Sequence, residues 1–361
     1  MRDGLRMGGG RLGSWLGLVA GAATLLRAAV RRGRSIDLAG RTVIVTGGAR
    51  GLGLLLAARA GAEGANVAIC GRDLAAVAEA RELLEKRGVQ VLARACDLAD
   101  RAAADAFVDE VARTFGGIDV VINNAGAIQV GPLETVTVDK MGDALGANLW
   151  SAVHVTLRAL PHLRAKGREG RIVNVTSIGG RAAVPHLLPY GTAKFALLGF
   201  SESLRAELDA LPDAPRVVTV IPGLMRTGSF YNAEFDGRRQ EEFAWFSVAS
   251  SLPILSIDAN VAARRILHAT KDGRAFLRLA FSGFAADLAH RLSPRLTVWA
   301  MGLAARALPD RDGEPAGLLA KGRHIASTLP GTRWLALGDA AARENNESPP
   351  RPALVPALRS G

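Results

Sequence analysis

The chain has 361 residues and a formal net charge of +11 at pH 7, a length that suits an α/β domain of about 250 residues with extensions. More than half of the positive excess lies in residues 1–41, which carry eight arginines against two aspartates, and no nucleic-acid-binding module is recognisable, so the composition argues against a nucleic-acid partner. Two cysteines, Cys70 and Cys96, without metal-like spacing and six histidines without a ligand cluster argue against a disulfide framework and a metal site.

The N-terminal extension, residues 1–37, contains an uncharged and mostly apolar run at 12–26, with arginines on both sides. Fifteen helical residues span about 22 Å, which is short of the ~30 Å hydrocarbon core of a bilayer, although an extension to Val30 lengthens the run. Three interpretations remain open: a membrane anchor or interfacial helix, a packed or disordered extension, and a cleaved signal peptide. We expect a cytoplasmic protein, and if the run spans a membrane, the arginines that follow it place the main domain on the cytoplasmic face.

From residue 38 onward, short apolar runs rich in valine and isoleucine alternate with segments that have helical apolar spacing. Strands are predicted at 42–46, 66–70, 89–94, 118–122, 171–176 and 216–221. Helices are predicted near 51–63, 73–87, 99–115, 136–166, 189–210 and 258–271. This alternation predicts one α/β domain over residues 38–272, a doubly wound parallel sheet of the Rossmann type with helices on both faces.

A glycine-rich turn follows the first predicted strand and opens the first helix. Glycines at such a turn let the backbone approach a pyrophosphate, and the helix N-terminus offers N–H donors and a partial positive charge. We therefore predict a dinucleotide site, and its residues in this turn are Gly47, Arg50, Gly51, Leu52 and Gly53.

The end of the second predicted strand reads Cys70-Gly71-Arg72-Asp73, where an acidic residue at the strand end would bind the ribose of NAD. Arg72, together with Arg50, is suited to a 2′-phosphate because guanidinium groups match phosphate geometry. The sequence therefore favours NADP(H), while Asp73 keeps NAD(H) as the alternative. Asp97, after the third strand, is a candidate acceptor for the adenine amino group, with helix capping as its structural alternative.

Three further residues carry chemistry: Ser177 after a buried strand, and Tyr190 and Lys194 on the following helix. A tyrosine and a lysine four positions apart on a helix share one face. An ammonium close to a phenol lowers the tyrosine pKa toward working pH, where the phenol can transfer a proton. The structural alternative is an ordinary pair on a surface helix.

Taken in order, these motifs resemble the short-chain dehydrogenases/reductases over residues 40 to about 230. The resemblance rests on the Thr-Gly-x-x-x-Gly-x-Gly loop at 46–53, the serine thirteen residues before an intact Tyr-x-x-x-Lys pair, and a set of residues at family positions. That set is Asn123, Asn124, Ala125 and Gly126 after the fourth strand, Asn148 in the long helix, Pro222 and Gly223 after the sixth strand, and Thr227.

The resemblance implies a role for each catalytic candidate. Tyr190 is expected to be the general acid or base, and Ser177 to hydrogen-bond the carbonyl oxygen as negative charge develops. Lys194 is expected to lower the tyrosine pKa and to hold the nicotinamide ribose. Asn148 is expected to position a water molecule that links Lys194 to solvent, and Thr227 to hold the nicotinamide carboxamide.

The predicted substrate loop, residues 224–256, holds six of the chain's eighteen aromatic residues. Aromatic walls favour a bulky apolar substrate, and the alternative is a small packed subdomain whose aromatics face their own core. Beyond residue 272, an edge strand is predicted at 274–280 and one or two amphipathic helices at 282–307, which pack over the sheet, on another subunit or on a membrane surface. Residues 308–361 hold seven of the sixteen prolines and read as loop, with disorder expected at 344–361.

The sequence therefore predicts an NADP(H)-dependent enzyme that transfers a hydride between the nicotinamide and a hydrophobic ketone, aldehyde or secondary alcohol. Its partners are expected to be this small molecule and other copies of the chain, with a membrane surface as a further partner suggested by the N-terminus. The alternatives are a non-catalytic dinucleotide sensor or scaffold, which should have lost the serine, tyrosine or lysine, and a sugar-nucleotide epimerase, which should carry a different glycine pattern.

Overall fold

The computed structural model of the protein describes residues 35–253, 256–310, 319–326 and 335–347. The predicted N-terminal anchor and the last part of the predicted disordered tail lie outside these residues. Within the described part of the chain, no helix combines the length and the apolar character that a membrane crossing needs.

The described residues contain twelve strands and twelve α-helices. The strands are β1 (Thr42–Thr46), β2 (Asn66–Gly71), β3 (Val91–Ala95), β4 (Val120–Asn123), β5 (Gln129–Val130), β6 (Arg171–Val175), β7 (Arg216–Pro222), β8 (Leu224–Arg226), β9 (Glu234–Phe235), β10 (Ser256–Asp258), β11 (Phe276–Leu279) and β12 (Ala320–Lys321). The helices are α1 (Gly51–Ala62), α2 (Leu74–Glu85), α3 (Arg101–Phe115), α4 (Val138–Leu145), α5 (Ser151–Ala165), α6 (Leu188–Asp209), α7 (Arg239–Ser251), α8 (Ala259–Asp272), α9 (Phe281–Leu292), α10 (Pro294–Ala305), α11 (Gly322–Ala326) and α12 (Ala336–Glu344).

The main sheet has seven parallel strands in the order β11-β7-β6-β4-β1-β2-β3. In its centre, Val43 of β1 lies opposite Val67 of β2 and Val120 of β4. The predicted doubly wound fold is confirmed, and β11 is the predicted edge strand. Because the chain order reverses between β1 and β4, a crevice opens at the carboxyl ends of these two strands.

The core consists of two apolar layers, one on each face of the sheet. Alternate residues of β1 enter different layers, since Val43 and Val45 pack with α1 and α8, and Ile44 packs with α3 and α5. Both faces of the strands are therefore buried, which explains why the strands are apolar throughout rather than alternating.

The single long helix predicted at 136–166 is two α-helices, α4 and α5, joined by one π-helical turn at Gly146–Trp150. Asn148 lies in this turn, and its side-chain amide donates to the carbonyl oxygens of Ala144 (3.0 Å) and Ala127 (2.9 Å). Such turns interrupt helices most often at functional sites, because they redirect a side chain without ending the helix.

The predicted substrate loop folds into short strands and one helix. Strand β8 pairs with β10, β9 pairs with β5 and β12, and α7 packs over them. Its aromatic residues Phe230, Phe235 and Phe243 are fully buried. The ring centroid of Phe243 lies 5.9 Å from that of Phe230 and 5.5 Å from that of Phe235, and Phe246 joins their cluster. The packed-subdomain interpretation is thus correct for most of these rings.

The described residues of the C-terminal part contain more helix than the sequence indicates. The two predicted amphipathic helices are α9 and α10, but the region predicted to be loop also contains α11 and α12. Residues 345–347, which fall in the predicted disordered tail, pack against the glycine-rich turn. These elements are too short to show a helical period, and their order depends on contacts with distant parts of the chain.

Candidate active site

The glycine-rich turn connects β1 to the N-terminus of α1. Gly47 and Gly51 have positive φ angles of 62° and 55°, a conformation in which a side chain is strained. A Cβ atom on Gly53 would lie 2.2 Å from the carbonyl oxygen of Gly47 and 2.6 Å from the Asn124 side chain. The turn therefore needs glycine for its shape and presents bare backbone to the crevice.

The segment after β4 is tied directly to this turn. The Thr46 hydroxyl accepts hydrogen bonds from the backbone N–H groups of Asn124 (2.9 Å) and Ala125 (3.0 Å), and the Asn124 amide donates to the Thr46 carbonyl oxygen (3.0 Å). Asn123 points the other way and donates to Asn174 on β6 (2.9 Å), which ties the neighbouring strands together.

Ser177 follows β6, and α6 begins at Leu188, so that Tyr190 lies in its first turn and Lys194 in the next. The serine hydroxyl is hydrogen-bonded to Tyr190 and also accepts from the backbone N–H of Gly179 (3.1 Å). Lys194 is buried, donates to the Val175 carbonyl oxygen (3.2 Å) and has its ammonium 5.8 Å from the centroid of the Tyr190 ring. The structure thus brings the three predicted groups together.

The electrostatics of the tyrosine differ from the prediction. Burial raises the pKa of Tyr190, and the hydrogen bond with Ser177 opposes this rise only in part. Burial also lowers the pKa of Lys194 to about 8. The net shift of the phenol pKa is therefore upward in the protein alone, opposite to the direction expected from Lys194, because the loss of hydration on burial is its largest cause.

Asn148 lies beside the lysine. A Cβ atom on Gly126 would lie 2.6 Å from the Asn148 side-chain oxygen and 3.3 Å from the Lys194 ammonium, so both groups face the same glycine. That buried oxygen has no hydrogen-bond partner among the described residues, whereas the amide nitrogen is satisfied by backbone. The geometry leaves one acceptor directed toward the lysine.

These residues line one cavity of about 1080 Å³ at the carboxyl ends of the central strands. The predicted site residues that line it are Gly47, Arg50, Leu52, Gly53, Arg72, Asp97, Asn124, Ala125, Gly126, Asn148, Ser177, Tyr190, Lys194, Pro222, Gly223 and Thr227. Gly51 is the exception, because the backbone N–H of Gly51 donates to the Asn345 carbonyl oxygen (2.7 Å) and the tail covers this position.

Two arginines and two aspartates lie toward the β2 and β3 side of the cavity. Arg50 is ion-paired with Asp73 (3.0 Å), and Asp73 also caps the N-terminus of α2. Arg72 is exposed and has no ion-pair partner among the described residues. Asp97 accepts from the backbone N–H of Ala99 (3.0 Å) rather than capping α3, a role that Asp100 takes. The second carboxylate oxygen of Asp97 is left for other contacts.

The opposite end of the cavity is formed by the segment after β7. Thr227 is buried, its hydroxyl accepts from the backbone N–H of Ser229 (3.1 Å), and Gly223 donates its N–H to the carbonyl oxygen of Leu279 on β11 (2.9 Å). These contacts hold Pro222, Gly223 and Thr227 in the lining of the cavity.

Two acidic residues at the site belong to no recognisable sequence motif. Glu242 of α7 is fully buried and accepts from the indole of Trp245 (2.6 Å), a cavity-lining residue, while its other oxygen contacts His186 (2.7 Å) just before α6. Glu347 lines the cavity beside Gly51, and burial raises its pKa well above its usual range. Each becomes recognisable only through contacts between residues distant in sequence.

Comparison with known proteins identifies the family. The model of the short chain dehydrogenase family matches residues 41–236. SadH, named an oxidoreductase of Mycobacterium tuberculosis, is 32% identical over 254 residues, which cover 70% of this chain and 91% of SadH. The 1-deoxy-11-beta-hydroxypentalenate dehydrogenase of Streptomyces avermitilis is 37% identical over 188 residues, which cover 52% of this chain and 69% of that enzyme.

Solved structures show the same architecture. A short-chain dehydrogenase of Burkholderia cenocepacia in complex with NADP is 28% identical, with a TM-score of 0.60, and the match covers 69% of this chain and 100% of that one. A short-chain dehydrogenase of Streptomyces avermitilis is 27% identical, with a TM-score of 0.61, and the match covers 74% of this chain and 99% of that one.

Proposed function

The chain belongs to the short-chain dehydrogenase family, and we propose that it is an NADP(H)-dependent oxidoreductase acting on a hydrophobic ketone, aldehyde or secondary alcohol. As a member of this family it is an NAD(P)-dependent enzyme that acts on CH–OH groups of small molecules. The observation that carries the proposal is the convergence of Ser177, Tyr190 and Lys194 in the cavity that also contains the glycine-rich turn.

The fit of a dinucleotide is supported by the shape of that turn. Its glycines leave bare backbone where a Cβ atom on Gly53 would collide with Gly47, and α1 begins at Gly51 within this turn, so that a helix N-terminus with its N–H donors lies at the site. Gly47, Leu52, Gly53 and the segment Asn124–Gly126 would hold the dinucleotide, with Thr227 at its nicotinamide end. When bound, the nicotinamide supplies or accepts the hydride.

The chain's own residues move the proton and stabilise the charge. In the reductive direction, the Tyr190 phenol donates its proton to the substrate oxygen, and in the oxidative direction the phenolate takes the hydroxyl proton. The Ser177 hydroxyl donates to the same oxygen and stabilises the negative charge that develops there. Lys194 supplies a positive charge next to this pair. The Asn148 oxygen, which has no hydrogen-bond partner among the described residues, accepts from a water molecule that links the lysine to solvent.

Preference for NADP(H) rests on the arginines. Both carboxylate oxygens of Asp73 are engaged, one by the N-terminus of α2 and the other by Arg50. Arg72, in contrast, is exposed at the cavity edge and has no ion-pair partner among the described residues. The Arg72→Ala variant should weaken NADPH binding by about 10- to 100-fold and leave NADH binding nearly unchanged, because a charge-assisted hydrogen bond is lost with only one of them. Titration of both cofactors checks this, and equal losses would contradict the proposed preference.

A hydrophobic substrate is supported by the walls of the cavity beyond the catalytic groups. Most of these lining residues are apolar, including Leu187, Met225, Phe246, Leu292 and Met301. Apolar surface of this extent gains most by covering a bulky apolar molecule. Trp245 and Phe246 are the substrate-loop aromatics that reach this wall, while the other rings belong to the loop's own core.

The proposal also covers membrane attachment and assembly, which the sequence led us to expect. We propose that the N-terminal extension attaches the protein to the cytoplasmic face of a membrane, because its apolar run is followed by a cluster of arginines. We also propose assembly into homo-oligomers, as is frequent in the family. Fractionation of cells and light scattering of the purified protein test these two points.

The direct test measures oxidation of NADPH and of NADH by the purified protein with ketones and aldehydes of increasing chain length. We expect activity with NADPH, and a KM that falls by roughly threefold or fourfold for each added methylene, because burial of one contributes about 0.8 kcal/mol. Activity confined to short polar carbonyls would contradict the proposed substrate class. Binding of neither cofactor would contradict the proposed function as a whole.

A further inference from the structure

The hairpin formed by α9 and α10 exposes an unusual amount of apolar surface. Of the seventeen large apolar residues that are exposed in the described part of the chain, seven lie on these two helices. They are Phe284, Leu288, Leu292, Leu296, Val298, Trp299 and Leu303. Along α10, Thr297 is the single buried residue, and Arg295 is the single charged one. An exposed helix that is apolar nearly all round needs a non-aqueous environment on its outer side.

The charges of the hairpin are cationic wherever they are accessible. Arg291, Arg295 and Arg306 are exposed, whereas the one acidic residue, Asp287, is buried and paired with Arg278 (2.6 Å) and Arg291 (3.1 Å). A second copy of the chain docked symmetrically on this hairpin would bring like charges together. An anionic phospholipid surface offers both the apolar interior and the opposite charge.

The cavity reaches the same surface. Residues of α10 and of the α9–α10 junction line it, namely Leu292, Ser293, Leu296, Thr297, Ala300 and Met301. The helix that is exposed on its outer side is therefore also a wall of the cavity. A molecule dissolved in a bilayer beneath this hairpin would reach the cavity without crossing water.

We infer that the α9–α10 hairpin docks on anionic phospholipid bilayers and that the lipophilic substrate enters the cavity from the membrane. The entry route rests on the proposed function, whereas the docking surface does not. The hairpin contact is separate from the N-terminal extension, since it is formed by residues 281–306.

Vesicle flotation of the full-length protein tests the docking. Vesicles of phosphatidylcholine with and without phosphatidylserine are compared for the wild type and for Val298→Glu/Trp299→Glu, whose two positions are 51% and 61% exposed and do not line the cavity. Leu133→Glu/Leu211→Glu is the matched control, with both leucines exposed elsewhere on the protein. We expect the wild type and the control to float with the phosphatidylserine vesicles, and the hairpin variant to bind about tenfold more weakly.

Equal flotation of the hairpin variant and the wild type would overturn the inference and assign binding to another segment, such as the N-terminal extension. A wild type that ignores vesicles but dissociates from a dimer on mutation would overturn it in favour of a second copy. Activity with a water-soluble carbonyl should be the same in the wild type and the hairpin variant. If the proposed function is wrong, both proteins lack this activity. If only the docking is wrong, both proteins keep it and float equally.

A second, independent observation concerns the C-terminal segment at residues 336–347, which we name the tail segment. It is held by Tyr231, whose hydroxyl donates to Asp339 (2.7 Å), and by Gly228, on which a Cβ atom would lie 2.4 Å from the Ala342 side chain. Asn346 donates to the Ala49 carbonyl oxygen in the glycine-rich turn (3.0 Å). The tail segment is thus packed between the substrate loop and the turn.

Its last residues lie against the N-terminus of α1, which is the part of the turn suited to bind an anion. The Asn345 carbonyl oxygen accepts a hydrogen bond from the backbone N–H of Gly51, the first residue of α1. A Cβ atom on Gly51 would lie 2.6 Å from one carboxyl oxygen of Glu347, and the other oxygen is buried without a hydrogen-bond partner among the described residues. A pyrophosphate bound at the N-terminus of α1 needs the same space.

We propose that the tail segment is an autoinhibitory element that competes with the pyrophosphate of the dinucleotide and must leave the turn before the cofactor binds. This proposal rests on the proposed function, since it presumes a dinucleotide at the glycine-rich turn. It gives the tail a regulatory role, because anything that captures the released segment would favour the cofactor-bound state.

NADPH affinity of full-length variants tests the competition. Glu347→Ala clears the space beside Gly51, and Ala342→Asp undocks the segment, because a buried aspartate would have no partner against Gly228. Glu344→Ala is the control, since Glu344 is exposed on the same helix. We expect the Kd for NADPH to fall about tenfold in the first two variants and to stay unchanged in the control.

Equal affinities in the wild type and both tail variants, or weaker binding by Glu347→Ala, would overturn the competition while leaving the proposed function intact. Binding of NADPH by none of the proteins would overturn the proposed function, and the competition with it. Amide exchange at Gly51 gives a readout without cofactor, and it should become faster in Ala342→Asp.

Discussion

The two walls of the cavity are built in different ways. The cofactor wall, which we define as the turn 46–53 with the segment 123–126, consists of glycines and backbone groups fixed by hydrogen bonds between Thr46 and Asn124. The substrate wall, formed by α7, α9 and α10, consists of apolar side chains, several of them half exposed. The first wall has one shape, whereas the second can be re-formed by substituting side chains, so one fold can keep its cofactor and change its substrate.

The largest effect is expected where the two walls meet, at the catalytic tyrosine. Tyr190→Phe removes the proton donor, and turnover should fall by a factor on the order of 10² to 10⁴. Because both walls are left in place, the Kd for NADPH should change little, which equilibrium titration can establish alongside the rate. A variant that turned over at a comparable rate would refute the role of Tyr190.

One added methyl group tests whether the cofactor wall is rigid. Gly53→Ala places a Cβ atom 2.2 Å from the Gly47 carbonyl oxygen, and the resulting overpacking should cost about 1–3 kcal/mol and weaken NADPH binding. Gly199→Ala is the matched control, because this α6 glycine is exposed and has open space around it. Alanine there should be neutral or stabilising by roughly 0.5–1 kcal/mol. Thermal unfolding of both variants measures this difference in stability. Equal stabilities of the two variants would contradict the rigidity of the cofactor wall.

A profile of kcat/KM against pH tests the region between the two walls, because it reports the protonation state of the buried lysine there. The pKa of Lys194 is lowered to about 8, so its positive charge is present below that pH and is lost as the pH rises through it. The raised pKa of Tyr190 keeps the phenol protonated over the same range. We therefore expect kcat/KM for carbonyl reduction to be flat below about pH 8 and to fall roughly tenfold per pH unit above it. In Lys194→Arg, residual activity should lose this inflection, and a wild-type rate that rises between pH 8 and 9.5 would contradict the assignment.

The smallest effect is expected on the substrate wall. Trp245→Ala removes a large apolar face from the cavity, and KM for bulky carbonyls should rise by about fivefold to tenfold with little change in NADPH affinity. Phe195→Ala removes an exposed aromatic ring outside the cavity and should leave both quantities unchanged. If Trp245→Ala weakened NADPH as much as the substrate, the two walls would not be independent.

Much of the fold and the catalytic group could be predicted because their signals are local. The apolar runs of six of the seven strands of the main sheet, the glycines that a positive φ angle requires, and the four-residue spacing of Tyr190 and Lys194 each depend on neighbours in the chain. The predicted boundaries differ from those of the structure by one or two residues at most strand ends, and the edge strand β11 was recognisable from the same kind of run.

What local signals could not provide is the choice between competing contacts. The sequence left Asp73 open as a ribose ligand, and the structure engages it with Arg50 and the N-terminus of α2. It predicted a lowered tyrosine pKa from helical spacing, but the sign of the shift depends on how completely the ring loses its hydration.

The sequence by itself determined the parallel sheet, the glycine-rich turn and the residues of the catalytic trio, because short-range backbone preferences and apolar patterns specify each of them. Only the tertiary structure decided that most substrate-loop aromatics pack against one another, that the described part of the chain leaves the α9–α10 hairpin uncovered, and that Glu347 lies beside Gly51. Those outcomes depend on which surfaces, hundreds of residues apart, fit together best when the chain is compact, and no property of a single segment encodes that fit.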